Sequence, residues 1–241
     1  MSRPYVHTEQ VHNLNAPREV VPVVLKLLPV KSVLDVGCGT GTWLKVFEDH
    51  SVTDYVGIDG DYVDTSQLKM PPGKFLARDL RESWSLSRRF DLVLSLEVAE
   101  HLPETSADQF VAALVNHGDH ILFSAAIPGQ GGQDHLNEQW PSYWMSKFSA
   151  HGYYFHDVVR PLVWNNANVE WWYRQNIFLV KKGPPVSPAL VPAIHPAFYE
   201  LMRSNEADYR DSVESGRQGI TLATKVFFNS LRYKFTKLFR S

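Results

Sequence analysis

The chain has 241 residues, of which 44% are hydrophobic and 21% are charged, the composition of an ordinary globular protein. This composition excludes a disordered or collagen-like chain, and the single cysteine, Cys38, excludes an internal disulfide. We therefore expect a reducing compartment, the cytoplasm. No apolar run approaches the roughly 18 residues that a membrane-spanning helix needs.

The charges are divided unevenly along the chain. Residues 215–241 carry no acidic residue and six basic ones, which are Arg217, Lys225, Arg232, Lys234, Lys237 and Arg240. The other residues therefore carry a net charge of −8. Since nucleic-acid binders usually present a basic surface, an acidic body makes a nucleic-acid partner unexpected.

Short apolar runs alternate with helical patterns through the first 182 residues. The predicted strands are Ser32–Val36, Tyr55–Ile58, Lys74–Ala77, Asp91–Leu96, His120–Ala125, Tyr153–Val159 and Gln175–Val180. The predicted helices are Pro17–Leu28, Thr42–His50, Asp61–Lys69, Ser106–Asn116 and Pro141–His151. The first strands are almost continuously apolar, which is typical of a parallel sheet covered on both faces. The alternation predicts a doubly wound α/β domain.

A proline-rich segment marks the strongest boundary in the chain. Gly183–Pro196 holds five prolines in fourteen residues, and proline both fixes φ and lacks a backbone donor, so the segment is expected to be extended. Helical patterns follow at Ala197–Ser212 and Gly219–Arg240. We therefore divide the chain into a domain of residues 1–182, a linker of residues 183–196 and a helical extension of residues 197–241.

A glycine loop follows the first strand in the segment VLDVGCGTGTWL. Gly37, Gly39 and Gly41 recur every second residue, whereas a dinucleotide-binding fingerprint would need glycine where Thr42 stands. Glycine permits positive φ and lets a ligand approach backbone amides closely. The loop also opens a helix, whose free N–H groups favour an anionic or polar ligand. A plain glycine-rich turn is the alternative interpretation.

This loop resembles motif I of the class I methyltransferases that use S-adenosylmethionine, and the resemblance extends over residues 30–181. It implies a Rossmann-like, seven-stranded, mostly parallel sheet with one antiparallel strand near its C-terminal end. It also implies that Asp59, which ends the second strand, binds the ribose and that Asp79 lies beside the adenine. The further cofactor contacts implied are Asp35, Gly37, Cys38, Gly39, Gly41, Leu80 and Ser95. In this family the N-terminal segment, here Val6–Asn15, often closes over the cofactor.

An E-x-x-E-H segment, Glu97 to His101, follows the fourth strand, and His135 follows the fifth. The segment resembles small-RNA terminal 2′-O-methyltransferases and ubiquinone-pathway O-methyltransferases. Glu97, Glu100, His101 and His135 are therefore candidate ligands of Mg²⁺ or Mn²⁺, which would make a bound hydroxyl more acidic. In the alternative without metal, His135 is the general base, Glu97 orders the loop, and His101 contacts the substrate or packs locally.

Aromatic residues are frequent on the expected substrate side of the domain. Trp140, Tyr143, Trp171 and Trp172 are candidate substrate contacts, because aromatic faces stack on sugar rings; packing in the core is the alternative. We expect O-methylation of a saccharide or sugar-containing small molecule, similar to bacterial surface-glycan methyltransferases. A metal-dependent RNA-end 2′-O-methyltransferase and a non-catalytic cofactor-binding subunit are the alternatives.

The C-terminal tail is amphipathic if it is helical. Its apolar residues are Phe227, Leu231, Phe235, Leu238 and Phe239, and its basic residues lie mostly elsewhere on the helix. The tail is expected to dock on the acidic body or on a partner subunit, and binding to the inner face of an anionic membrane is the alternative.

Overall fold

A computed structural model of the protein describes residues 12–184, 193–215, 217 and 219–238, without the side chains of residues 233–238. The chain divides into two compact units, Met1–His195 and Pro196–Ser241. Most of the expected proline-rich linker, together with Phe239, lies outside the described residues.

Seven strands form one sheet in the first unit. They are β1 Ser32–Val36, β2 Asp54–Asp59, β3 Phe75–Ala77, β4 Leu92–Leu96, β5 His120–Ser124, β6 Tyr153–His156 and β7 Phe178–Lys182. Their order across the sheet is β3-β2-β1-β4-β5-β7-β6. Strand β7 runs antiparallel to both of its neighbours, and the other pairs are parallel. The predicted seven-stranded, mostly parallel sheet is thereby confirmed.

Among the described residues, six α-helices accompany the sheet and two follow it. The first six are α1 Asn15–Leu27, α2 Thr42–Asp49, α3 Ala107–His117, α4 Pro141–Ser149, α5 Arg160–Val163 and α6 Trp171–Asn176. The second unit holds α7 Pro196–Glu214 and α8 Ile220–Leu238. No helix among the described residues is long and apolar enough to cross a membrane.

Two apolar cores cover the two faces of the sheet, because alternate residues of each strand point to opposite faces. Val33 joins a core that includes Val20 of α1 and Leu44 of α2. Its neighbour Leu34 joins the other core, which includes Phe110 of α3 and Phe148 of α4. All five residues of β1 and of β4 are buried, as the near-continuous apolar pattern predicted.

Three of the predicted elements differ from the structure by more than two residues at an end. The helix predicted over Asp61–Lys69 is wrong: only a 3-10 turn forms at Thr65–Gln67, because the Asp64 carboxylate accepts hydrogen bonds from the backbone and side chain of Ser66. Strand β6 ends at His156, and α5 follows it. The last strand begins at Phe178 rather than Gln175, because α6 extends to Asn176.

Candidate active site

A cavity of about 680 Å³ opens at the carboxyl ends of the adjacent strands β1, β2 and β4. Asp35 of β1, Asp59 of β2 and Leu96 of β4 all line it. Ligands of open α/β sheets generally bind outside the carboxyl ends of the strands. The topology therefore places the glycine loop and the carboxylates that follow these strands around one site.

The glycine loop between β1 and α2 has no room for side chains where it turns. Gly37, Gly39 and Gly41 all have positive φ, of 84°, 53° and 80°. A Cβ at Gly37 would lie 2.3 Å from Cγ2 of Val98, so only glycine fits this position. Gly37 lines the cavity, whereas Gly39 and Gly41 shape the loop behind it.

Asp59 fastens this loop to the end of β2. One carboxylate oxygen accepts a hydrogen bond from the Gly39 N–H at 2.7 Å. The other accepts from the Gly60 N–H and from the Tyr62 hydroxyl, each at 2.7 Å. Asp59 therefore organises the loop as well as lining the cavity, and its predicted contact with the ribose stays a prediction.

Asp35 lies beside Asp59, but fewer hydrogen bonds stabilise its carboxyl group. It is buried, and its Oδ2 accepts no hydrogen bond. Burial, and then the negative charge of Asp59, raise the pKa of Asp35 well above its usual value. The site therefore holds a carboxyl group that a positively charged ligand would favour in its ionised form.

The other predicted cofactor contacts divide between the cavity and the core. Cys38, Asp79 and Leu80 line the cavity, and the Arg81 guanidinium pairs with Asp79 at 2.6 Å. Hydrogen bonds from Arg81 hold the pKa of Asp79 below its usual value. Ser95 is fully buried within β4 and does not line the cavity.

Glu97 is held by two amide side chains that the sequence pattern did not indicate. Gln130 donates to Glu97 Oε2 at 2.7 Å, and Asn176 donates to Oε1 at 3.3 Å and to Gln130 Oε1 at 2.8 Å. Burial raises the pKa of Glu97, and the hydrogen bonds from these amides oppose that rise. The positive φ of Glu97, 54°, turns the chain sharply at this point.

Three of the four predicted metal ligands converge next to Glu97. One ligand atom from each of Glu100, His101 and His135 lies within 4.8 Å of the other two, and among the described residues this is the group that could hold a metal ion. The rings of His101 and His135 meet edge to face, with their centroids 4.9 Å apart. Glu97 is not part of this group, and its oxygens instead accept hydrogen bonds from the two amides.

In this cluster burial favours the neutral forms of His101 and Glu100, which suits metal binding at His101 but opposes it at Glu100 until a cation is present. Glu100 is completely buried, and neither of its oxygens accepts a hydrogen bond of normal geometry. Burial, and then the charge of Glu97, raise the pKa of Glu100 well above its usual value. Burial, and then the charge of His135, lower the pKa of His101 to about 4. The imidazole of His101 is therefore neutral at physiological pH, as a metal ligand must be.

Glu138 orients His135, and the sequence analysis missed it. Its carboxylate lies 2.8 Å from His135 Nδ1 and accepts from the backbone N–H groups of Gly129 and Gly131, each at 2.7 Å. Burial raises the pKa of Glu138, but these three hydrogen bonds outweigh that effect and lower it. An ionised Glu138 favours the tautomer with the proton on Nδ1, which leaves Nε2 as the ligand or base.

The four predicted aromatic substrate contacts do not line the cavity. Trp140 is exposed, and Tyr143 packs edge to face on Trp144. Trp171 and Trp172 lie on α6 and pack against each other, and Trp172 also packs against the core. The aromatic residues that do line the cavity are Trp43, Tyr62 and Tyr173. The role assigned to the four aromatics stays a prediction that this geometry does not support.

Residues at the start of the described chain cover one side of the cavity. His12, Asn13 and Pro17 line it, and Asn13 donates to Glu170 Oε1 at 2.8 Å. Glu170 lies just before α6 and also lines the cavity. The rest of the segment expected to close over the cofactor, residues 6–11, lies outside the described residues.

Most of the first unit matches one known protein family. Residues 9–159 match the family model described as a methyltransferase domain. Because the match covers more than half of the chain, the chain belongs to this methyltransferase family, as the glycine loop indicated. No curated protein matches the chain.

Solved structures of methyltransferases share the fold. A magnesium protoporphyrin IX methyltransferase from Synechocystis with bound SAH is 16% identical, with a TM-score of 0.53, over 76% of this chain and 90% of that one. Streptomyces venezuelae DesVI is 14% identical, with a TM-score of 0.53, over 74% of this chain and 100% of that one. The methyltransferase domain of bacterial CtHen1-C is 19% identical, with a TM-score of 0.52, over 71% of this chain and 100% of that one. At these identities the likeness establishes the fold.

The buried Asp35 predicts a specific pH dependence of stability without ligand. Since its folded pKa is raised, the stability that Asp35 contributes is present below its usual pKa of 3.8 and is lost as the pH rises through the raised value. Asp35→Asn should therefore gain stability relative to the wild type between those two values, by at most about 1.4 kcal/mol per pH unit. Urea unfolding of the ligand-free proteins from pH 4 to pH 8 measures this difference.

Asp208→Asn, at an exposed position on α7, is the matched control and should show no such rise. A difference for Asp35→Asn that is flat or falls with pH would contradict the assignment.

Proposed function

We propose that the protein is an S-adenosylmethionine-dependent O-methyltransferase that acts on a hydroxyl of a saccharide or sugar-containing small molecule. In this proposal Mg²⁺ or Mn²⁺ is held by Glu100, His101 and His135. The observation that carries the proposal is the convergence of these three side chains next to a methyl-donor cavity, of which His101 forms part of the wall. The single buried cysteine fits a reducing compartment, and we place the reaction in the cytoplasm.

The family and the residues of the cavity support S-adenosylmethionine as the methyl donor. The Synechocystis neighbour has been crystallised with bound SAM as well as with SAH. When bound, this cofactor supplies a methyl group on a positively charged sulfur. Among the described residues, two arginines, Arg78 and Arg81, line the cavity against seven acidic side chains: Asp35, Asp59, Asp61, Asp79, Glu97, Asp134 and Glu170. The negative charge of these acidic side chains favours binding of the cationic S-adenosylmethionine over binding of SAH, the uncharged product left after methyl transfer. It therefore favours replacement of SAH by a new donor after each turnover.

The ligand set supports a divalent cation and favours Mn²⁺ over Mg²⁺. Two imidazoles and one carboxylate form a mixed nitrogen and oxygen site, whereas Mg²⁺ prefers oxygen ligands. A cation there would relieve the cost of the buried Glu100 carboxylate. A bound cation would make a coordinated hydroxyl more acidic and therefore a better nucleophile. The protein itself orients His135 through Glu138 and keeps His101 neutral.

The charge of the site supports a small neutral acceptor. An RNA end brings several phosphates, which the acidic cavity and the net charge of −8 outside the tail would repel. The RNA-end alternative is supported by the E-x-x-E-H segment and by the same cluster. A non-catalytic cofactor-binding subunit is the third candidate. Such a subunit would bind S-adenosylmethionine but would not transfer its methyl group.

The role of the cation can be tested against that of a general base. Exhaustive chelation should abolish turnover, Mn²⁺ should restore it more fully than Mg²⁺, and S-adenosylmethionine should bind throughout. His135→Ala should match the chelated enzyme. Glu138→Gln should lose about 10–100-fold in activity or metal affinity, because it removes the charge that orients His135. The measurements are turnover on a panel of saccharides and calorimetry of donor binding.

Two controls separate the alternatives. Glu104→Gln, at an exposed glutamate outside the cluster, should leave turnover unchanged. Full activity in metal-free buffer, verified by elemental analysis, would show that catalysis does not require the cation. Loss of that activity in His135→Ala would then identify His135 as the general base. Methylation of RNA ends but not of saccharides would support the second candidate instead.

A further inference from the structure

Helix α8 presents a row of apolar side chains to solvent. Ile220, Phe227 and Leu231 are seven and four residues apart, a spacing that places them on one face of a helix. Phe228 lies next to this row. Ile220 is 85% exposed, Phe227 is 60% exposed and Phe228 is 62% exposed. Contiguous exposed apolar side chains of this size mark a surface that contacts another apolar phase.

The charges of α8 have a single sign. The helix contains no acidic residue, and its basic residues are Lys225, Arg232, Lys234 and Lys237. Lys225 and Arg232 are seven residues apart, so they follow one edge of the apolar row. The surface of α8 therefore combines an apolar row with positive charge, and it complements an apolar layer beneath negative groups.

Helix α7 provides an internal comparison. It also exposes aromatic side chains, Tyr199 and Tyr209. However, it carries five acidic residues against two basic ones: Glu200, Glu206, Asp208, Asp211 and Glu214 against Arg203 and Arg210. An anionic surface would repel α7 and attract α8, although both helices have 19 residues.

The length and polarity of α8 determine how it would meet a lipid bilayer. Nineteen residues of helix extend for about 28 Å at 1.5 Å per residue. Among the described residues no helix is apolar enough to span the bilayer. A helix with one apolar face and a basic polar face lies in the plane of the interface instead.

We propose that α8 binds the surface of an anionic lipid bilayer, with Ile220, Phe227, Phe228 and Leu231 entering the boundary between headgroups and acyl chains. Lys225 and Arg232 contact the anionic headgroups. This surface goes beyond the proposed function and does not depend on it, because binding to lipid needs neither methyl donor nor acceptor.

Sedimentation of the full-length protein with vesicles tests the proposal. The protein should bind vesicles of 70% phosphatidylcholine and 30% phosphatidylglycerol, and should bind pure phosphatidylcholine at least tenfold more weakly. The double variant Phe227→Ser, Phe228→Ser should lower the partition coefficient at least tenfold because it removes apolar area. The double variant Lys225→Glu, Arg232→Glu should lower it by a similar factor, and only on anionic vesicles.

Matched variants make the result decisive. The double variant Tyr199→Ser, Tyr209→Ser removes two exposed aromatics from α7 and should change vesicle binding less than twofold. Thermal unfolding and binding of S-adenosylmethionine should be unchanged in all three variants, which shows that the first unit remains folded. Absence of vesicle binding, or an equal loss in the α7 control, would overturn the proposal. A change of oligomeric state on losing Phe227 and Phe228, without vesicle binding, would assign this face to a second copy of the chain instead.

Discussion

Buried and half-buried carboxylates at the carboxyl ends of three adjacent parallel strands are the constraint around which the site is organised. Asp35 lies in β1, Asp59 ends β2 and Glu97 follows β4. A buried carboxylate is costly unless donors or a positive charge compensate it. Asp59 has three donors and Glu97 has two amides, so both are held by the protein itself. Asp35 Oδ2 and both oxygens of Glu100 accept no hydrogen bond of normal geometry, and we infer that ligands compensate them.

This division of roles separates the parts of the site that the fold builds from the parts that a ligand completes. The hydrogen bonds of Asp59 fix the glycine loop whether or not a ligand is present. Gln130 and Asn176 fix Glu97 in the same way, and Glu138 fixes His135. The geometry is therefore preorganised, which reduces the reorganisation needed when donor and acceptor meet. In the free protein the ionised forms of Asp35 and Glu100 are destabilised by burial, and their pKa values are raised as a result.

The sequence predicted those features that depend on local pattern. The apolar runs located all seven strands, and the glycine spacing located the loop because only glycine fits at Gly37. The sequence did not reveal Gln130 and Asn176, since their contacts with Glu97 join residues 33 and 79 positions apart. Such pairs leave no periodic signal. The helix predicted over Asp61–Lys69 does not form, because the Asp64 side chain makes hydrogen bonds with Ser66 that helix propensity does not take into account.

The aromatic residues show a second limit of sequence reasoning. The sequence analysis predicts Trp171 and Trp172 as substrate contacts, but the segment forms α6 and these two side chains pack against each other. Tyr173, the next residue, lines the cavity. Which of three consecutive aromatic residues faces the ligand depends on the start and orientation of the helix, and the composition of the segment does not specify them.

Anomalous diffraction can show whether Glu100, His101 and His135 hold a divalent cation beside the cavity, as proposed. Crystals of the protein would be grown with Mn²⁺ and SAH, the demethylated form of the methyl donor. One strong anomalous peak is expected within coordination distance of all three side chains, with SAH in the cavity next to it. An ordered cluster with SAH bound and no peak at these residues would exclude the proposed cation site.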